Sequence, residues 1–276
     1  METALVRVPV AASGAAEVEV FYCEHGSGRP LVAIHGWTLD HRAEQASLEP
    51  VFRERDGWRR IYPDLPGHGR TRGPEWVRTH DEMVRIVAAF IDTVVPNQRC
   101  TLAGSSYGAS LVHCLAAQRW RDIDGIVLTV PPTGDRDLPE HGVRHADRAF
   151  VDALAPEEQH QLEFVVWQSV EVLEQIRQRF DTGAALCDRR FLERLAQSPA
   201  LEMGALPQPL TQPALLVAGR FDHWCGYRHL LDFLDDDPFA TYAVLDGAGH
   251  GLSVERETLY QALVSDWADR VESTQA

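Results

Sequence analysis

The stretch TLAGSSYGASLVHCLAAQ, residues 101–118, decides the fold. Its first residues are typical of a buried strand and residues 109–118 of a helix, so a Gly-x-Ser-x-Gly motif joins the two. Gly104 and Gly108 permit the sharp turn and close packing that such an elbow needs. The turn presents Ser106 at the start of the helix, whose N–H groups can stabilise a developing oxyanion. We therefore predict that Ser106 is a nucleophile rather than an ordinary turn serine.

Short β-rich segments alternate with segments of helical period along most of the chain. This alternation predicts an α/β fold whose sheet is mostly parallel and covered by helices on both faces. The predicted strands lie at residues 16–23, 31–34, 60–62, 101–103, 126–130, 214–218 and 241–245.

Two of the helices are well marked. Thr79 and Glu82 have the spacing of a capping box at the start of one helix, which should end at Pro96. Near the C-terminus, a helical stripe is predicted to run from Leu259 to Trp267.

The segment 133–206 lacks strand signals and shows helical spacing instead. One helix is predicted over Pro156–Phe180, with proline in its first turn and two glutamates beside the positive end of its dipole. We therefore predict one core, residues 1–132 and 207–276, into which this segment is inserted as a helical lid.

Four further motifs accompany the serine motif along the chain: His35-Gly36-Trp37, Pro63-Asp64-Leu65-Pro66-Gly67-His68-Gly69, Gly219-Arg220-Phe221-Asp222 and Gly247-Ala248-Gly249-His250. Together they resemble the motifs of the α/β-hydrolase fold family, in its serine hydrolase branch, where the catalytic residues follow in the order Ser, Asp, His. The resemblance implies a triad of Ser106, Asp222 and His250.

Each member of the implied triad has a separate chemical task. A serine hydroxyl is a poor nucleophile at its ordinary pKa, so His250 must accept its proton. Asp222 must hold the imidazole in the required tautomer and stabilise the imidazolium that forms; its alternative role is that of a carboxylate on a surface turn. The resemblance further implies that the backbone N–H groups of Trp37 and Tyr107 form the oxyanion hole.

Bulky side chains beside the predicted site and in the lid are candidate substrate contacts. Apolar pocket walls and ordinary packing both explain their size. These candidates are Trp37, Phe164, Trp167 and Trp224.

Composition excludes several classes of protein. The 276 residues carry a formal charge of −15, which repels nucleic acid and anionic lipid surfaces. All 26 basic residues are arginine, so Schiff-base, P-loop and lysine-base chemistry is excluded. The same bias is typical of a bacterial gene of high GC content.

The five cysteines are scattered and contain no C-x-x-C pair. This pattern predicts reduced thiols in the cytoplasm, without a disulfide framework or a metal site. Cys225 has no base paired with it by motif, so we expect a small buried hydrophobic residue without a catalytic role. The N-terminus lacks the pattern of a signal peptide, and no apolar run is long enough to span a membrane. We expect neither a metal nor another cofactor.

The leading hypothesis is a cytoplasmic serine hydrolase that cleaves an ester, thioester or lactone of a small molecule through an acyl-enzyme. A second hypothesis keeps the triad but assigns it to hydrolysis of a carbon–carbon bond, or to a lyase or cyclase step of a biosynthetic pathway. A third is a ligand-binding protein without turnover, although an intact triad speaks against it. The fold determines the class of chemistry better than the substrate.

Overall fold

One large β-sheet organises the chain. The computed structural model describes residues 2–9, 14–134, 138–140, 142–145, 147–201, 203, 211–233 and 239–274. Within these residues the strands are β1 (Glu2–Val8), β2 (Ala16–Gly26), β3 (Arg29–Ile34), β4 (Trp58–Pro63), β5 (Cys100–Ser105), β6 (Ile123–Thr129), β7 (Arg144–His145), β8 (Trp167–Gln168), β9 (Ala214–Gly219) and β10 (Ala240–Leu245). Eight of them form the large sheet in the order β1-β2-β4-β3-β5-β6-β9-β10.

Strand pairing confirms the predicted α/β architecture. Neighbours from β4 through β3, β5, β6 and β9 to β10 pair in parallel, whereas β2 pairs antiparallel with β1 and β4. Every residue of β6 and β9 is buried, as expected for central strands covered on both faces. Strand β1 is an addition to the prediction. Its side chains alternate between exposed and buried positions, as in an edge strand with one face in solvent.

Helices cover both faces of the large sheet, as predicted. Helices α2 and α3 contribute to the core on one face, and α1 and α10 to the core on the other. Within the described residues the helices are α1 (His41–Phe52), α2 (His80–Val94), α3 (Tyr107–Arg119), α4 (Arg148–Ala153), α5 (Pro156–Gln161), α6 (Val170–Ile176), α7 (Thr182–Leu186), α8 (Arg189–Leu195), α9 (Leu252–Glu255) and α10 (Glu257–Ser273). None of them is long and apolar enough to cross a bilayer.

The C-terminal helix is present, but its buried face differs from the predicted one. Helix α10 buries Tyr260, Val264, Trp267 and Val271, whereas Leu259 is 39% exposed. The predicted stripe was therefore wrong at its first residue: the buried face begins at Tyr260, not at Leu259. The reason is that the helix turns its aromatic side chains, which bury the largest area, toward the sheet.

The predicted helix Pro156–Phe180 is wrong. Helix α5 ends at Gln161, and α6 begins only at Val170 because the side chain of Ser169 accepts a hydrogen bond from the N–H of Val172. Between the two helices, strand β8 pairs in parallel with β7, so the segment is not free of strands either.

The apolar residues of that segment are nevertheless buried. They form a small separate core with Val254 of α9, which explains why their spacing resembles one helical stripe. The boundaries of the lid, 133–206, stay a prediction. The buried members from this segment are Val151, Leu162, Val165, Val172, Leu173 and Ile176.

The carboxyl ends of the parallel strands bring the predicted site residues to one edge of the sheet. Ser105 of β5 pairs with Thr129 of β6, and Thr129 pairs with Val217 of β9. The turns that carry Ser106, Asp222 and His250 follow β5, β9 and β10 respectively. Open α/β sheets bind their ligands at this edge.

Gly108 lies where the serine elbow approaches strand β3. A Cβ at this position would lie 2.0 Å from the carbonyl oxygen of Ile34, so Gly108→Ala should lower the free energy of unfolding by about 3 kcal/mol. Gly57→Ala is the matched control. There an added Cβ meets nothing within 4 Å, and only the φ of +81° opposes it, at a cost of about 1 kcal/mol. Urea unfolding measures both, and equal losses would contradict the close approach.

Candidate active site

The serine elbow holds Ser106 in a strained backbone conformation. Its φ is 52° and its ψ is −117°, a region that non-glycine residues rarely adopt. Two backbone hydrogen bonds keep it there: Ser106 N–H donates to Thr129 O at 2.9 Å, and Ser106 O accepts from Ser110 N–H at 3.2 Å. Because Gly104 and Gly108 lack side chains, the strand and the helix pack closely on either side. Strain of this kind at a serine elbow is typical of a nucleophile.

Asp222 and His250 are brought together by the turns after β9 and β10. The Nδ1–H of His250 donates to Oδ2 of Asp222 at 2.9 Å, which leaves the other imidazole nitrogen as the acceptor. Asp222 is fully buried, and its Oδ1 accepts from the N–H groups of Trp224 at 3.0 Å and Cys225 at 2.9 Å. Both carboxylate oxygens are therefore fixed, and with them the tautomer of His250.

The pKa of His250 is raised above the ordinary histidine value. Burial by itself would lower the pKa, but the hydrogen bond to Asp222 and the negative charge of Asp222 outweigh it. Contact with Cys225 acts in the same direction. The carboxylate thus makes His250 a stronger base.

The pH dependence of kcat/KM should report this pair. Only the neutral imidazole can accept the Ser106 proton, so kcat/KM should rise as the pH passes upward through the pKa of His250. In Asp222→Asn, burial still lowers that pKa while the charge that raised it is gone. The acid limb should therefore move to lower pH, and the maximum should fall. The measurement is kcat/KM of both proteins for one activated ester over a series of pH values. An acid limb at the same pH in both proteins would contradict the role of Asp222.

Ser106 and His250 lie at the same edge of the sheet. Among the residues that the structure describes, no hydrogen bond joins the Ser106 hydroxyl to the His250 imidazole. In ligand-free enzymes such catalytic contacts are often long and tighten when substrate binds. The elbow and the Asp222–His250 pair therefore form the two halves of a candidate triad.

The predicted oxyanion loop lies against the serine elbow. A Cβ added to Gly36 would lie 3.5 Å from the Cβ of Ser106, so the loop that carries the N–H of Trp37 adjoins the nucleophile. Tyr107 is the first residue of α3, where backbone N–H groups have no acceptor within the helix. The two N–H groups therefore stay candidates for the oxyanion donors.

His35 holds that loop in place. Its Nδ1 lies 2.8 Å from the carbonyl oxygen of Gly36, and its Nε2 accepts the N–H of Leu65 at 3.0 Å. Burial lowers the pKa of His35 despite the nearby charge of Asp64, so the ring is neutral and can act as donor and acceptor at once. His35 is therefore a structural residue of the site.

The candidate substrate contacts divide into three groups. The ring of Trp37 packs edge-on against Tyr107, with centroids 5.0 Å apart. The ring of Trp224 lies 5.1 Å from that of His250 and 5.8 Å from that of Phe164, so these two residues adjoin the base. Trp167 is 49% exposed and makes no ring contact with the others in the part of the chain that the structure describes.

Two acidic residues that the motifs did not indicate support the site. The side chain of Glu255 accepts the N–H groups of Trp167 at 2.9 Å and Gly249 at 2.8 Å, so it ties the inserted segment to the histidine turn. Glu44 of α1 is buried beneath the elbow. Burial raises its pKa to about 7, against the effect of its hydrogen bond to Ser105. The spacing of Glu44 four residues before Leu48, which is buried in the same helix, was the available sequence signal for Glu44.

The described residues bring together two sets of side chains with metal-ligand chemistry, although no such set was expected from the sequence. One set is Asp40, His41 and Asp64, all buried. Its Asp64 already accepts the Nδ1–H of His41 at 2.7 Å and the N–H of Arg70 at 2.8 Å, as in a structural network. The other set, Asp222–Cys225–His250, includes the candidate acid and base. Cys225 is separated from His250 in sequence, so spacing could not reveal this set.

The family of the alpha/beta hydrolase fold matches residues 29–257, and the chain belongs to this family. The match includes the serine elbow, the predicted oxyanion loop and the turns that carry Asp222 and His250. The resemblance deduced from the motifs is thereby confirmed at the level of family and fold.

Solved structures show the same fold over almost the whole chain. An alpha/beta superfamily hydrolase from Oenococcus oeni PSU-1 has a TM-score of 0.84 at 21% identity, covering 99% of this chain and 100% of its own. A thermophilic esterase from Thermogutta terrifontis has a TM-score of 0.63 at 22% identity, covering 98% of this chain and 99% of its own. A meta-cleavage product hydrolase from Pseudomonas fluorescens IP01 has a TM-score of 0.65 at 19% identity, covering 95% of this chain and 97% of its own. At these identities the likeness shows the fold alone. The chain spans about half or less of the length of the curated relatives it matches.

Proposed function

We propose that this α/β hydrolase is a serine hydrolase that cleaves an ester, thioester or lactone of a small molecule through an acyl-enzyme. The observation that carries the proposal is the strained elbow at Ser106, at the same sheet edge as an Asp222–His250 pair joined at 2.9 Å. A strained serine, a base and a buried carboxylate have little use outside nucleophilic catalysis. The Thermogutta terrifontis esterase, which shares the fold, is consistent with this class of substrate.

The reaction follows from the geometry in two stages. The Ser106 hydroxyl attacks the carbonyl carbon while His250 takes its proton, and the N–H groups of Trp37 and Tyr107 stabilise the oxyanion. His250 then gives the proton to the departing alcohol or thiol, which leaves an acyl group on Ser106. Water then gives a proton to His250 as it attacks that acyl group. The bond to Ser106 breaks, His250 returns the proton to the serine oxygen, and the carboxylic acid leaves.

A panel of substrates tests this proposal. It comprises p-nitrophenyl esters of increasing acyl length, aryl thioesters and lactones, with the Ser106→Ala protein as the control for background hydrolysis. Turnover that depends on Ser106 supports the proposal. A protein that hydrolyses none of them and is not labelled at Ser106 by a fluorophosphonate would contradict it and favour a ligand-binding role.

A second candidate is hydrolysis of a carbon–carbon bond beside a carbonyl group. The meta-cleavage product hydrolase with the same fold supports this candidate, because the same acid, base and oxyanion loop can serve that reaction. A protein that is labelled at Ser106 by a fluorophosphonate but hydrolyses no ester, thioester or lactone would favour carbon–carbon bond hydrolysis over ester hydrolysis. The same result would also favour a lyase or cyclase reaction.

We propose that residues 133–206 act as a lid that contributes to substrate choice. Phe164 of this segment reaches Trp224, whose ring lies beside His250, and the carbonyl oxygen of Phe164 accepts the N–H of Gly251 at 3.1 Å. An acyl chain bound at Ser106 would therefore meet these aromatic side chains.

Turnover should require no metal ion, because the triad supplies the nucleophile and base and the backbone stabilises the charge. Activity measured after prolonged dialysis against EDTA should equal that of the untreated enzyme. Loss of activity that Zn²⁺ or Mn²⁺ restores would contradict this part of the proposal.

A further inference from the structure

We propose that Asp222, Cys225 and His250 form a binding site for a thiophilic divalent cation such as Zn²⁺ or Cd²⁺, and that occupancy inhibits the enzyme. The cation site stands on geometry alone. The inhibition rests on the proposed function, because it assigns His250 as the base.

The three side chains bring their ligand atoms close to one another. One ligand atom from each, a carboxylate oxygen, the thiol sulfur and an imidazole nitrogen, lies within 4.8 Å of the other two. Asp222 Oδ2 and His250 Nδ1 are 2.9 Å apart. Zinc binds nitrogen and oxygen at about 2.0 Å and sulfur at about 2.3 Å. Small side-chain movements therefore suffice to admit the ion, with water as a fourth ligand.

The backbone holds Cys225 in this position. Its N–H donates to Asp222 Oδ1 at 2.9 Å, and its carbonyl oxygen accepts from the hydroxyl of Thr133 at 2.7 Å and from the N–H of Thr133 at 3.2 Å. Asp222 is fully buried, whereas Cys225 is half-buried, so an ion can reach the sulfur from solvent. A fixed cysteine sulfur beside a carboxylate and an imidazole is a ligand set that zinc and cadmium prefer.

A bound cation prevents His250 from acting as a base, whichever of its two ring nitrogens binds the ion. The Cys225 thiol gives its proton to solvent as the sulfur binds. If the cation takes Nδ1, the single proton of the neutral imidazole resides on Nε2, and no lone pair faces Ser106. If the cation takes Nε2, it occupies that lone pair directly. In both cases the serine proton has no acceptor.

Cadmium binding tests the site without reference to catalysis. Cd²⁺ is titrated into the Ser106→Ala protein while the ultraviolet charge-transfer band of cadmium thiolate is followed. Combining this change with Cys225→Ala should abolish the band or weaken binding by about tenfold or more. Cys114→Ala, which removes a half-buried thiol from α3, is the matched control and should change neither. An unchanged band and affinity in the Cys225 variant would overturn the proposal. Cys225→Ser replaces Cys225→Ala if that variant fails to fold.

Inhibition is tested separately in the active protein. Zn²⁺ should suppress turnover of the best substrate in the panel, and EDTA should restore it. With each rate taken relative to the metal-free rate of the same protein, Cys225→Ala should need about tenfold more zinc for half-inhibition. Inhibition that is equal in both proteins would overturn the site. Binding of cadmium that leaves turnover intact would instead contradict the assignment of His250 as the base, and thus the proposed function.

Discussion

Replacing Ser106 with alanine should lower kcat/KM for an activated ester by about 10⁴-fold or more, to the level that binding and the oxyanion hole alone provide. The change removes the only atom that attacks the carbonyl carbon. It leaves the elbow intact, because the backbone bonds to Thr129 and Ser110 do not involve the Ser106 side chain. Circular dichroism and the urea unfolding midpoint should therefore be unchanged.

Ser110→Ala is the matched control for this experiment. Ser110 lies one turn further along α3 and is buried, so its replacement reproduces the loss of a hydroxyl close to the elbow without removing the nucleophile. Its kcat/KM should stay near that of the unmodified protein. Equal losses in both variants would show that the Ser106 effect is structural.

His250→Ala should lower kcat by about 10⁴-fold with little change in KM. The imidazole acts on the proton of Ser106 as the transition state forms, and it contributes little to holding the substrate in the ground state. Steady-state kinetics with the same ester measures both constants. His160→Ala, whose side chain is 75% exposed and lies outside the site, is the control and should behave like the unmodified protein.

A different distribution of the His250 effect would be informative. A rise in KM with an unchanged kcat would mean that His250 binds the substrate rather than transferring a proton. That result would contradict the assignment of the base, and with it the interpretation of the Asp222–His250 hydrogen bond as catalytic.

Local signals in the sequence were sufficient for the elements that position the site. The glycines around Ser106 predicted the turn between β5 and α3, and both hydrogen bonds of the Thr79–Glu82 capping box are present at the start of α2. These features depend on neighbouring residues in sequence, so a pattern of a few residues contains them. The parallel sheet followed from the alternation of strands and helices.

The inserted segment shows where such patterns fail. Leu162, Leu173 and Ile176 are spaced as in one helix, and all three are buried, yet turns and a short strand separate Leu162 from the other two, which lie in α6. Periodicity reports which residues face a core, and a core can be reached by several short elements as well as by one helix. The N-cap at Ser169 was the local signal that a new helix begins there. In α10, likewise, the large aromatic side chain of Tyr260 is buried, whereas the predicted stripe began at its neighbour Leu259.

Contacts between distant parts of the chain escaped prediction for a different reason. Cys225 adjoins His250 only because the turns after β9 and β10 meet at the sheet edge. Glu255 of α9 accepts a hydrogen bond from the N–H of Trp167, which lies in the inserted segment. Neither pair has a spacing that identifies it. The positions of these side chains depend on the register of the parallel strands and on the path of the inserted segment.

Mapping the adduct of a fluorophosphonate probe tests the central claim most directly. Such a reagent reacts with a hydroxyl that a neighbouring base activates, so it reports the nucleophile without knowledge of the substrate. Mass spectrometry of the labelled, digested protein should find one adduct, on Ser106, and Ser106→Ala should not be labelled. An adduct on another residue, or equal labelling of the Ser106→Ala protein, would contradict the account.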